Sequence, residues 1–146
     1  MRHGANPDIV TYTGSSLLTT ICSNEDCNPN VLRKLFSFPS VALNINRQLS
    51  GGSLKWRLIQ RSTRFLYVIN WSKSKLVENL ALDSGATALH YAVRRGDIET
   101  VQVLLHNGAD PTVSDSLGHR PEYYCSEFVE LHGGSFVFSL NHISTH

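Results

Sequence analysis

Asp83-Ser84-Gly85-Ala86-Thr87-Ala88-Leu89-His90-Tyr91-Ala92-Val93-Arg94-Arg95-Gly96-Asp97-Ile98 opens the stretch that decides the fold, which closes at Asn107-Gly108-Ala109-Asp110-Pro111. Thr87 is placed to cap a short helix from Ala88 to Arg95, its side-chain oxygen meeting orphan backbone N–H groups of the first turn. Gly96 ends that helix, because glycine takes the left-handed conformation without a Cβ penalty. Asp97 then caps a second helix running to Asn107, in which Ile98, Val101, Leu104 and Leu105 recur at three- and four-residue spacing and share one face. Gly108 stops this helix in the same way. From Ala109 to Gly118 the Asp, Pro, Ser and Gly content is that of a turn.

Outward from this stretch the spacing repeats. His3-Gly4-Ala5-Asn6-Pro7 mirrors Asn107-Gly108-Ala109-Asp110-Pro111, and in both places a second glycine, Gly14 or Gly118, follows ten residues after the first. Gly52, Gly85 and Gly118 stand 33 residues apart, a known repeat period. The Gly14 to Gly52 interval is 38, with the surplus assigned to loops at Asn24 to Pro29 and Phe38 to Val41.

The unit at 83–114 resembles an ankyrin repeat. The residues that carry the likeness are Asp83, Gly85, Thr87-Ala88-Leu89-His90, Ala92, Gly96, Val101, Leu104-Leu105 and Gly108-Ala109-Asp110, with Ala88 where the family usually has proline. The likeness weakens outward. A degenerate unit at 11–48 keeps Thr13-Gly14-Ser15-Ser16-Leu17-Leu18, Leu32, Leu35, Phe36 and Asn44-Ile45-Asn46, with Thr19 in place of the motif histidine. A highly degenerate basic unit at 49–82 places Trp56, Ile59, Phe65, Val68 and Trp71 on the core positions Leu89, Ala92, Ile98, Val101 and Leu104. Residues 3–10 resemble the tail of a preceding unit, and 115–130, with Asp115, Pro121 and Glu122-Tyr123-Tyr124-Cys125, a partial last one. The fold implied is mostly α, an ankyrin-like helix-turn-helix solenoid with β-turn loops, about three units plus partial ends. Residues 131–146 read as a flexible tail foreign to the array. With neither end capped, a fragment of a larger ankyrin protein is expected.

Composition is consistent with this. The chain has 146 residues, 41% apolar and 17% charged, with a formal charge of +1, which excludes a collagen, a charge-rich disordered chain and a disulfide-dense mini-protein. No apolar stretch approaches the ~18 residues of a membrane-spanning helix, and Met1-Arg2-His3-Gly4 does not open a signal peptide. Three cysteines, Cys22, Cys27 and Cys125, fit reduced thiols in the cytoplasm, or alternatively the nucleus, better than a disulfide framework.

Stacked repeats present an extended concave surface with no enclosed pocket. The resemblance therefore implies a non-enzymatic module that binds a protein partner through loop tips and the concave inner-helix face. By position it nominates Ser84, Ala86, Arg94, Arg95, Ser114, Ser116, Leu117 and His119, with Tyr12, Thr13, Ser15, Ser23 and Asn24 as lesser candidates. Arg94 and Arg95 are candidate anchors, since arginine forks onto carboxylates, or else solvated charge at a helix C-terminus. Gly85, Thr87, Leu89, His90, Gly96 and Gly108 are structural motif residues, and the resemblance implies that His90 ties Thr87 to the neighbouring loop. No nucleophile is set beside His90, and no Walker, dinucleotide or kinase motif occurs. No catalytic residue, metal or cofactor is expected: Cys22 and Cys27 have no partner pair to complete a zinc site, and His142 with His146 sits in a terminus.

One charge feature stands apart. Between Cys27 and Val77 there is no acidic residue but nine basic ones: Arg33, Lys34, Arg47, Lys55, Arg57, Arg61, Arg64, Lys73 and Lys75. With Trp56, Phe65, Tyr67 and Trp71 interleaved, a basic surface over about 47–75, centred on Lys55, Arg57, Arg61 and Arg64, is an alternative site for an acidic protein, an anionic lipid or nucleic acid. The competing reading makes the aromatics core and the cations a solvated face. A further alternative makes the chain the regulatory fragment of a larger ankyrin-containing enzyme.

Overall fold

The computed structural model describes residues 10–11, 13–24, 26–39, 44–50, 53–69 and 84–125. Among them run five helices: α1 (Leu17–Ser23), α2 (Pro29–Leu35), α3 (Leu54–Val68), α4 (Ala88–Arg94) and α5 (Ile98–His106). A further helical turn covers 121–125. The described residues contain no strand, only an isolated bridge between Val10 and Ser16. The mostly helical, helix-turn-helix architecture expected from the sequence is what forms.

Side chains start these helices. Ser16 Oγ accepts the Thr19 N–H at 3.2 Å. Asn28 Oδ1 accepts the Asn30 N–H at 2.9 Å, with Pro29 opening α2 where its missing N–H is harmless. Asp97 Oδ1 accepts the Thr100 N–H at 3.0 Å while Thr100 Oγ1 donates to Asp97 Oδ2 at 2.7 Å. Positive φ angles at Gly14, Gly85, Gly96, Gly108 and Gly118 trace the expected register.

Two helical hairpins stack. α1 packs on α4 and α2 on α5, and Leu18, Cys22 and Leu32 from the first hairpin join Ala88, Leu89, Ala92, Val101 and Leu104 from the second in one buried core. A fully buried leucine contributes roughly 1.5–3 kcal/mol, so the helices, each too short to persist alone, are held by this shared face. The loops stack as well. Asn46 Nδ2 donates to Gly108 O at 3.3 Å, its Oδ1 accepts the Asp110 N–H at 2.7 Å, and Gln48 Nε2 donates to Ser114 O at 2.7 Å. Arg33 Nη2 and Glu99 Oε1, 2.9 Å apart, join α2 to α5 on the outer face.

The unit at 11–48 therefore has the unit at 83–114 as its immediate neighbour. No described residue intervenes between them. The described residues of 49–82 depart from the repeat expected there. Instead of a helical hairpin, its described part is the single helix α3, fifteen residues long. Of the five residues assigned to core positions, Ile59 is 44% exposed, Phe65 62% and Val68 67%, Trp56 is half-buried, and Trp71 lies outside the described residues. The cause lies at the turn. One period before Gly96 and Asp97 stand Thr63 and Arg64, so neither the left-handed glycine nor the capping carboxylate is present and the helix runs on. Thr63 Oγ1 bonds back to Ile59 O and Gln60 O, both at 3.0 Å, as a threonine inside a helix does. Within the 33-residue interval from Gly52 to Gly85, the described residues form an insertion between the two stacked hairpins and no second hairpin of their own. Residues 3–9 and the tail at 131–146 lie outside the described residues, as do Tyr12, Gly52, Lys73, Lys75, Asp83, His142 and His146.

Candidate partner-binding surface

The loop tips form a ladder. Leu49 N–H donates to Ala86 O and Gly85 N–H to Leu49 O, both at 2.8 Å, and Ser116 N–H donates to Ser84 O at 2.9 Å. Three successive tips are thereby locked edge to edge. Gly85 is required twice over: its φ is +76°, and a Cβ there would lie 2.6 Å from both the nitrogen and the Oγ of Ser116. Ser84 Oγ donates to Ser116 Oγ at 3.1 Å, a side-chain bond beside the backbone one.

Beneath the ladder lies a polar knot. His90 is buried, and Thr87 N–H donates to its Nδ1 at 3.1 Å, with Thr87 Oγ1 2.8 Å from the same nitrogen. That fixes the proton on Nε2, which donates to His119 O at 3.2 Å. Burial lowers the His90 pKa from its ordinary value, opposed by the bond to His119 O. The ring is a tie between two loops, as the resemblance implied.

Asp115, which the repeat register assigns to the partial last unit, is a second tie. Its Oδ1 accepts N–H groups of Leu117 at 2.8 Å and His119 at 3.0 Å, and its Oδ2 accepts the Tyr124 hydroxyl. The His119 ring stacks on Tyr123 at 3.8 Å between centroids. An Asp followed by glycine and, a few residues on, a buried aromatic was the available signal for this turn.

The nominated partner-binding residues separate on this frame. Ser84, Arg94, Ser114, Ser116, Leu117 and His119 are partly exposed around the tips and the adjoining end of α4. Ala86 is only 2% exposed, because Leu49 pairs with its backbone, and it is removed from the contact set. Arg95 is turned inward: Nη1 donates to Cys22 O at 3.2 Å and Nη2 lies 3.4 Å from Asp97 Oδ2, so it fastens α1 to the second hairpin. The Arg94 guanidinium lies over the Tyr91 ring, 4.9 Å from its centroid. Thr13, Ser15, Ser23 and Asn24 lie at the surface of the first hairpin.

The thiols are free, with Cys22 buried and Cys27 and Cys125 partly so. Burial, with the neighbouring Cys27 sulfur second, pushes the Cys22 thiol well above its ordinary range, which keeps it protonated and unreactive. Among the described residues no cluster of three His, Cys, Asp or Glu side chains is arranged to hold a metal ion, and no helix is long and apolar enough to cross a membrane.

The ankyrin-repeat family profile matches residues 84–116, from the first tip through α4 and α5 to the next. The chain carries an ankyrin repeat. Curated relatives match the chain over a small part of their own length. The mitochondrial disaggregase of Bos taurus is 45% identical over 51 residues, which is 35% of this chain and 8% of that protein. Human palmitoyltransferase ZDHHC13 is 45% identical over 47 residues, 32% of this chain and 8% of that protein. Mouse receptor-interacting serine/threonine-protein kinase 4 is 34% identical over 89 residues, 56% of this chain and 11% of that protein. The chain thus spans about a tenth or less of the length of these relatives. Ankyrin repeats are characteristically protein-interaction modules, and the fold alone names neither the partner nor its mode of contact.

Proposed function

We propose that this chain is a non-enzymatic module that binds a protein partner through its loop tips and the concave inner-helix face. The observation that carries the reading is the ladder from Leu49 through Gly85 and Ala86 to Ser116. It holds the tips rigid while the side chains of Ser84, Ser116, Leu117 and His119 stay partly exposed, so little ordering entropy opposes binding. Arg94, Ser114 and the surface residues of the first hairpin extend the contact. The free thiols support an intracellular setting, cytoplasmic or nuclear.

Photocrosslinking in cells tests it, with p-benzoylphenylalanine replacing Leu117 at a tip or Gln102 on the exposed face of α5. Adducts are expected from position 117 and not from 102. Adducts from 102 alone, or from both equally, overturn the binding mode.

A second reading has its own support. The relatives matched are enzymes by name and the chain covers a small share of each, so the repeats would be the regulatory part of a larger enzyme. Sequencing the transcript on both sides of this reading frame tests it: an in-frame enzymatic domain supports it, and stop codons in all flanking exons overturn it.

A further inference from the structure

The insertion and the loop tips enclose a cleft of about 750 Å³, within the size range of ligand sites. One wall is α3, with Arg57, Arg61 and Arg64; the other is the ladder, with Gln48, Ser84 and Ser116. Three of the four basic residues singled out in the sequence therefore meet in one recess, and Lys55 does not line it. Spacings of four and three place these arginines along one side of the helix, over about 10 Å at 1.5 Å per residue. No carboxylate lines the cleft, and among the described residues none forms an ion pair with these three guanidiniums. Ser116, a hydroxyl-bearing residue, lines the far wall.

We propose that this cleft binds an extended acidic peptide segment of the partner. The inference rests on the reading of the tips as a partner surface and gives that partner a chemistry. A donor-rich recess with fixed positive charge calls for an acceptor-rich, anionic occupant. In an extended chain, side chains at alternate positions are about 6.6 Å apart on one face, close to the roughly 6 Å rise between Arg57 and Arg61. Acidic residues at alternating positions therefore run along the arginine row. Phe65 and Val68, which line the same cleft beyond Arg64, offer an apolar seat for a residue at one end of the segment. Sequence-tolerant single-strand recognition needs a series of stacking rings; here Phe65 is the one ring-bearing residue among the cleft's lining residues. A lipid surface fits less well, since these cations line a recess between two walls.

The test uses the full chain and a fluorescein-labelled peptide of sequence Glu-Thr-Glu-Thr-Glu-Leu, followed by anisotropy. Binding is expected to weaken as ionic strength rises from about 0.05 to about 0.3 M. It is also expected to fall about tenfold or more in Arg57→Gln/Arg61→Gln/Arg64→Gln, with helicity retained by circular dichroism. The Arg57→Lys/Arg61→Lys/Arg64→Lys variant, which keeps charge but loses the forked donors, should lose about threefold. Undiminished binding by the glutamine variant overturns the proposal. So does equal affinity of the parent chain for oligothymidylate or for phosphatidylserine/phosphatidylcholine vesicles. Absence of peptide binding by the parent chain, with crosslinking at 117 intact, sinks the cleft alone; peptide binding by the parent chain without crosslinking at 117 sinks the tip-surface reading alone.

Discussion

Leu49 and Gly85 are hydrogen-bonded neighbours: Leu49 O accepts the Gly85 N–H at 2.8 Å, although a whole helix of the chain lies between them in sequence. The excursion leaves the array and returns at one point, and the two hairpins it separates stack as consecutive units. Replacing residues 51–82 by a short Gly/Ser linker should leave a folded, cooperatively unfolding pair of hairpins. Far-UV circular dichroism through a thermal melt checks this, and a linear, non-cooperative melt would show that the insertion is part of the stack.

Gly85→Ala should be severe for a change of one methyl group. The new Cβ meets the backbone nitrogen of Ser116 at 2.6 Å, and alanine must also adopt φ +76°. A loss of about 2–4 kcal/mol is expected in urea denaturation. Gly118→Ala, whose Cβ would meet nothing within 4 Å, should cost about 1–2 kcal/mol, from backbone strain alone.

His90 sets a pH dependence. Its folded pKa lies below the ordinary value because it is buried, so below about pH 6.5 the unfolded chain binds the proton more readily. The stability His90 contributes is complete above that pH and is lost as pH falls through the unfolded and then the folded pKa. The melting temperature is expected to drop between pH 7 and pH 5, with a shallower drop in His90→Gln measured over the same range.

Adjacent arginines should separate. Arg95→Ala removes the bond to Cys22 O and the contact with Asp97, both partly buried, and should cost about 1–2 kcal/mol of stability. Arg94→Ala gives up a cation over the Tyr91 ring and should cost about 0.5–1 kcal/mol, with its larger effect on partner binding. Parallel denaturation and crosslinking of the two variants distinguish these roles.

Asp115→Ala orphans two backbone N–H groups and the Tyr124 hydroxyl at a buried site, and should cost about 2–4 kcal/mol. Tyr124→Phe, which removes one of the three bonds, should cost about 1 kcal/mol. Equal losses in denaturant titrations of the two variants would count against Asp115 as the centre of the turn.

Where local chemistry decides the structure, the sequence was legible. Thr87 with His90, Gly96 with Asp97, and Gly108 each write a cap or a stop that needs no distant partner, so α4, α5 and their turn could be read directly. Adjacency could not. Glycine spacing suggested a repeat between Gly52 and Gly85, yet a repeat also needs its internal turn, and Thr63 and Arg64 do not supply one. Arg94 and Arg95 look alike in sequence because charge carries no information about direction; only the carbonyl of Cys22, brought close by the packing of α1 on α4, turns one of them inward. The arginine row of α3 was visible as charge, and its facing wall was not, since Gln48, Ser84 and Ser116 reach it through the ladder.

The closed neck at Leu49 and Gly85 makes the two hairpins and the inserted block separable under mutation. Changes within the two hairpins must preserve a shared core, whereas a mutation, lengthening or exchange of the inserted block is judged by what the block touches at the tips. A substitution in the inserted block that leaves Leu49 and Gly85 paired therefore leaves the stack of the two hairpins in place.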